Sequence, residues 1–204
     1  MMKRIVLFCL FLTGAVYSLF SAEYDIATVN SLYFDENEGI FVASQFKIIY
    51  NDKENSFFFH TEDPLSEGWV ELTTDDLAKM RKALQKFFDW EKTALDNKVI
   101  LDERSIPDSE IESKVIWRFG DVWFSGDGLK TNFSFFSQTE KRHQLVISSN
   151  QIMSPPPLVS DFRLKTFYLD SMDAKALYDG ISEDRIQEAV AKHETKKKIE
   201  TLFN

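Results

Sequence analysis

The chain has 204 residues, 44% hydrophobic and 14% aromatic, with seven glycines and five prolines. So many large apolar groups exclude a disordered chain, because their burial offsets the entropy of ordering. A formal net charge of −9 argues against a nucleic-acid binder, whose affinity for phosphate rests on Lys and Arg.

The first residues, Met1-Met2-Lys3-Arg4, run directly into the apolar stretch Ile5 to Leu12, the layout of a secretion signal. That stretch dilutes at Thr13, Gly14 and Ser18 and ends at Ser21-Ala22, after which Glu23 and Asp25 open an acidic chain. Cleavage is therefore expected after Ala22, with Val16-Tyr17-Ser18 offering an earlier site. The apolar core falls short of the roughly 20 residues that span a bilayer, so no membrane span is expected once residues 1–22 are removed. The expected location is the periplasm or another extracytoplasmic compartment. Cys9 is the only cysteine and leaves with the signal, which excludes disulfides, thiolate catalysis and cysteine-built metal sites. Loss of Lys3 and Arg4 with no acid moves the net charge to −11. The one dense basic run, Lys196-Lys197-Lys198, lies beside Glu194 and Glu200 in a terminal helix and reads as a solvated face.

Residues 23–204 read as a single α+β domain. Strands are predicted over Tyr24 to Phe34, Ile40 to Tyr50 and Ser56 to Thr61, with polar turns between them and a short strand, Trp69 to Leu72, after a loop. Phe46, Ile48 and Tyr50 alternate with Lys47 and Ile49, the two-residue period of a strand with one buried face. The period then changes: Leu77, Met80, Leu84, Phe87, Phe88 and Leu95 recur at helical spacing, which predicts a helix over about Thr74 to Asn97. Thr73 or Thr74 can cap it, and Asp75 and Asp76 favour its N-terminal dipole. Further strands are predicted over Lys114 to Phe119, Val122 to Ser125, Thr131 to Ser137, Gln144 to Ser149 and Leu164 to Leu169. Gly126-Asp127-Gly128 reads as hairpin punctuation. One helix is expected from Ser171 to the stop at Gly180, and another over about 182–203.

The stretch Val70 to Met80 lies over Phe167 to Leu177 at a constant offset of 97, with strand end, capping residues and apolar helix face in register. The fold class expected is therefore α+β, with antiparallel β-meanders each followed by a helix. The match suggests a tandem duplication of units over about 23–98 and 113–181, with an additional C-terminal helix. In topology alone this plan resembles the strands-then-helix repeats of the Pur and Whirly single-strand nucleic-acid binders. No motif of those families is present to carry over, and the signal and the acidic charge oppose that activity.

Most chemistry is excluded by what the chain lacks. It has no phosphate-binding glycine loop, no dinucleotide fingerprint and no Gly-x-Ser-x-Gly elbow. Asp35-Glu36-Asn37-Glu38-Gly39 has its glycine one position early for a calcium loop and Phe46 where the twelfth-position acid belongs, so it reads as a turn. No cofactor, metal site or catalytic residue is assigned. Of the three histidines, His143 starts a strand and His193 lies among charges on the last helix. His60, followed by Glu62 and Asp63, is the nearest approach to an acid/base cluster and supports an exported hydrolase as the alternative.

The aromatics supply the positive lead. Four tryptophans and the Phe57-Phe58-Phe59 run exceed what one face of one small sheet would hide, and consecutive phenylalanines in a strand point to opposite faces. Helices then cover both faces, which is the favoured arrangement, or one face meets a partner. The expected function is a non-enzymatic envelope or periplasmic module that binds a partner protein or apolar ligand, with Trp117, Trp123 and Phe58 as candidate binding residues.

Overall fold

The computed structural model describes residues 23–35, 38–51, 56–62, 66–157 and 159–202. The expected signal segment, residues 1–22, lies outside them. The chain runs β1 (Glu23–Asp35), β2 (Ile40–Asn51), β3 (Ser56–Glu62), β4 (Ser66–Leu72), α1 (Thr74–Asn97), β5 (Arg104–Ser105), β6 (Ile111–Phe119), β7 (Val122–Thr139) and β8 (Arg142–Ser149). It continues through β9 (Ile152–Met153), β10 (Asp161–Phe162), β11 (Phe167–Asp170), α2 (Ser171–Gly180) and α3 (Glu183–Leu202).

The strands do not form two meander-plus-helix units. They run β7-β6-β4-β3-β2-β1-β11-β8, and β8 pairs back onto β7, closing an eight-stranded antiparallel barrel. Two pairings dissolve the expected duplication: β4 joins β6 across α1, and β1 joins β11 from the far end of the chain. The matching stretches at the two strand-to-helix junctions also differ in chemistry. Thr73 closes a capping box with Asp76, whose backbone N–H donates to Thr73 Oγ1 while its carboxylate accepts from the Thr73 backbone N–H. Asp170 makes no cap hydrogen bond and instead accepts from Gln144 Nε2 at 2.9 Å. The likeness at offset 97 is that of any strand passing into a helix.

The second correction concerns Gly126-Asp127-Gly128, which ends no strand. β7 runs through it for 18 residues, pairing with β6 up to Thr131 and with β8 from Thr131 onward. Gly128 takes a positive φ of 80°, and the ladder slips opposite, between Ser113 and Val115. Together they bend the strand enough for its two halves to serve two neighbours, the work of a bulge in a barrel.

Closure explains where the aromatics go. Alternate residues of every strand point inward, and Val29, Phe46, Phe59, Val70, Val115, Phe133, Ile147 and Phe167 are all buried. Phe46 stacks on Phe59 with ring centroids 4.4 Å apart. One sheet face thus becomes an interior without needing helices to cover it. At one end α1 turns Leu77, Met80, Leu84 and Phe87 inward and reaches Phe135 of β7, 5.7 Å from Phe87. At the other end the β9–β10 flap closes over Trp117, with Phe162 5.5 Å away. Outward positions include the charged residues Glu71, Glu112, Lys114 and Lys130. Among the described residues no helix is long and apolar enough to cross a membrane.

α2 lies against β1 so closely that a Cβ built on Gly180 would stand 2.6 Å from Ala27 Cβ. Gly180→Val is therefore expected to destabilise the protein by about 1–3 kcal/mol, although most residues favour helix over glycine. Urea unfolding of the variant checks it; an unchanged midpoint would show that α2 is not seated on β1.

Candidate binding surface

The closed barrel sorts the three candidate residues. Trp117 points inward and is 2% exposed, stacked on Phe124 at 5.7 Å, with its indole N–H donating to Ser160 Oγ at 3.3 Å. Phe58 and Trp123 point outward, where Phe58, Ile49 and Trp69 form a small second cluster with Trp123 packed against it. Phe58 is itself buried, so of the three only Trp123 offers surface on the outer wall. The strand register joins Phe58 and Trp123 in one cluster and separates Trp117 from both by the thickness of the sheet.

His60 shares that wall, but its partner is Glu67, reached because the β3–β4 register sets His60 opposite Trp69. Glu67 is saturated. Its Oε1 accepts from Trp69 Nε1 at 2.9 Å and from His60 Nε2 at 3.2 Å, and its Oε2 accepts from Arg118 Nε at 3.1 Å and Nη2 at 3.0 Å. A carboxylate only accepts, so His60 holds its proton on Nε2. Burial pushes the His60 pKa below its ordinary 6.5, against the pull of Glu67. For Glu67, burial pushes the carboxyl up, but the hydrogen bonds from Trp69, His60 and Arg118 outweigh it and hold it below 4.5. Asp63 lies outside the described residues, and among those described no group of His, Cys, Asp and Glu could hold a metal ion.

A feature missed in the sequence lies round the wall. Phe34 and Phe41, paired across the β1–β2 hairpin, meet edge to face at 5.3 Å; Phe41 meets Tyr168 at 5.1 Å; Tyr168 meets Phe136 at 6.0 Å. The four rings form a continuous aromatic row over five strands. Phe34 is 42% exposed and Phe41 38%. Burial and the nearby Glu103 carboxylate push the Tyr168 phenol above its ordinary 10.0. Around the rim opposite α1, Ile40, Phe119, Val122 and Met153 are also exposed. The signal was available in part: Phe34 and Phe41 bracket a polar turn, where a structural aromatic has little core to enter. Their union with Phe136 and Tyr168 depended on closure.

Comparisons with protein-family models, curated proteins and solved structures find no match.

Proposed function

We propose that this chain is an exported protein that acts outside the cytoplasm as a non-enzymatic binding module, engaging its partner through the aromatic row and the adjoining rim. The observation that carries the reading is the row itself. Large rings at 42% and 38% exposure, locked edge to face, form a contiguous apolar patch of the kind that marks an interaction site. The rings also hold one another in place, so little side-chain freedom is lost on contact.

The test places the photo-crosslinker benzoylphenylalanine at position 41 and, as a control, at Glu112 on the far wall, in cells expressing the full chain. A discrete crosslinked product from position 41 and none from 112 is expected, with the mature chain in the extracytoplasmic fraction beginning near Glu23. The same products from both positions, or none from 41, would overturn the binding reading. A full-length chain in the cytosol would overturn export.

One observation favours the alternative of an exported hydrolase: a cavity of about 520 Å³ gathers His60 with Glu62. With Glu67 saturated, Glu62 is the acid there that could take part in proton transfer. A hydrolytic activity lost in both His60→Gln and Glu62→Gln would favour it over the binding module.

A further inference from the structure

The cavity beside His60 lies against a bare strand edge. Six consecutive residues, Val42 to Lys47, line it. Side chains of a strand alternate between faces, so an unbroken run borders one space only from the strand's edge. The ladder agrees. β2 pairs with β1 from Ile40 onward, but its pairing with β3 begins at Phe46 opposite Thr61. Among the described residues, no strand pairs with the other edge of β2 over residues 40–45. That stretch, Ile40-Phe41-Val42-Ala43-Ser44-Gln45, contains no proline and no charge, two of the devices by which proteins blunt an open edge. Its unpaired backbone donors and acceptors are a template for another strand.

We propose that the open edges of two copies of this chain pair antiparallel, centred on Val42, and join the two barrels into a symmetric dimer. The proposal goes beyond the binding reading and does not depend on it. Successive residues of a strand turn their N–H and C=O to opposite edges, so across a two-fold axis one residue must stand opposite its own equivalent. Within the open stretch Val42 or Ala43 can hold that centre, and length decides between them. With Ala43 at the centre, Ile40 of the copy, still in its strand, would fall opposite Phe46, where β3 already occupies the edge. With Val42 at the centre, Ile40 falls opposite Ser44, and the copy turns away at Gly39, φ 68°, before β3 begins.

That pairing is complementary in size and charge. Ile40, 50% exposed, meets the small Ser44 of the copy, and Val42 meets Val42. On the outer face Ala43 leaves room, because Phe41 leans toward Phe34 of β1 and Tyr168 of β11, away from the free edge. Six uncharged residues on each side let two chains of net charge −9 meet with no acid opposite an acid along the ladder. At each end Glu38 falls opposite Phe46 of the copy, one residue from Lys47. Lys47 already donates to Asp25 at 2.9 Å, but both side chains are well exposed and an ammonium has three donors to share. Opposed side chains of paired strands share a face, so the dimer presents two aromatic rows on one side of the joined sheet.

The test uses residues 23–204, which contain no cysteine, in sedimentation velocity over a range of concentrations. The mass is expected to rise with concentration toward that of two chains, and alternate amides within residues 40–44 to exchange more slowly as it does. Ala43→Lys, at an exposed position, is expected to weaken the dimer by about tenfold or more while leaving unfolding of the dilute monomer unchanged. Under mild oxidation Val42→Cys is expected to form an interchain disulfide, because directly opposed residues have Cα atoms about 4.5–5.5 Å apart. Ala43→Cys should form it more slowly, its equivalents standing about 7–8 Å apart on the diagonal, and Glu112→Cys on the far wall should not form it. A chain that stays monomeric at every concentration, or a dimer unmoved by Ala43→Lys, would overturn the pairing. A faster disulfide at 43 than at 42 would overturn its register. The binding reading is decided separately, by a crosslink from position 41 to a chain of another mass; a product of twice the chain mass counts for the dimer alone.

Discussion

Trp117→Ala is expected to destabilise the folded protein by about 3–5 kcal/mol, and Trp123→Ala by only about 1–2 kcal/mol. The two tryptophans are close in sequence on paired strands, where Arg118 sits opposite Trp123 and Trp117 opposite Phe124. Their difference comes from the pleat. The Trp117 indole fills the barrel beneath the flap, between Phe124 and Phe162, and faces the bare backbone of Gly68, where an added Cβ would itself meet Phe162 at 2.6 Å. Nothing nearby can collapse into the space it would vacate, since β6 and β4 are held in register by the sheet and the flap is anchored on the same ring. Trp123 lies on the outer wall, half-buried on the Phe58 cluster with the Arg118 guanidinium 5.7 Å from its ring centre, and its loss leaves a surface that water can cover. Urea unfolding of the two single variants checks this. Equal shifts would mean that the two rings are not on opposite sides of the sheet.

How far this could be read from the sequence depends on the range of the interactions involved. The helix over 74–97 shows in its period and in Thr73 with Asp76, because capping and amphipathic spacing are local. The inward faces of β2 and β3 show in Phe46, Ile48, Phe57 and Phe59 for the same reason. Closure does not show, because it rests on β1 with β11 and β7 with β8 meeting at the right shear, and no residue pattern inside a strand names its neighbour. The error at Gly126-Asp127-Gly128 has the same origin. A glycine pair permits a reversal and a bend equally, and the choice falls to the pairing of β6 and β8 with the two halves of β7. Phe58 shows the limit most clearly. That it opposes Phe57 and Phe59 is legible; that its own side of the sheet would hold Ile49, Trp69 and Trp123 around it is a matter of register across five strands.

Register also produced the Glu67 cluster, and its removal is the second large expected effect. Glu67→Ala is expected to cost about 1–3 kcal/mol, because the buried Trp69 Nε1 and the half-buried His60 Nε2 and Arg118 guanidinium lose their common acceptor. Glu67→Gln is not expected to rescue it. Glutamine accepts on one oxygen only, so its amide N–H would be turned either on Arg118 or on Trp69 and His60. The acid dependence follows from the same geometry. The His60 pKa in the folded chain lies below 6.5, so as pH falls through 6.5 the unfolded chain takes up the proton first and stability declines until the folded imidazole titrates. The Glu67 pKa lies below 4.5, so its contribution is complete above 4.5 and is lost as pH falls through the folded value. Both losses run toward acid, in two successive steps. In Glu67→Ala the second step should disappear, while the first should persist and deepen, because burial of His60 then acts without the carboxylate that opposes it. Urea midpoints of both proteins at about pH 7.5, 5.5 and 4 separate the two steps. If the variant retained the full decline below pH 4.5, the stabilising carboxylate would have to be another one, and the four hydrogen bonds to Glu67 would contribute little to holding β3, β4 and β6 together.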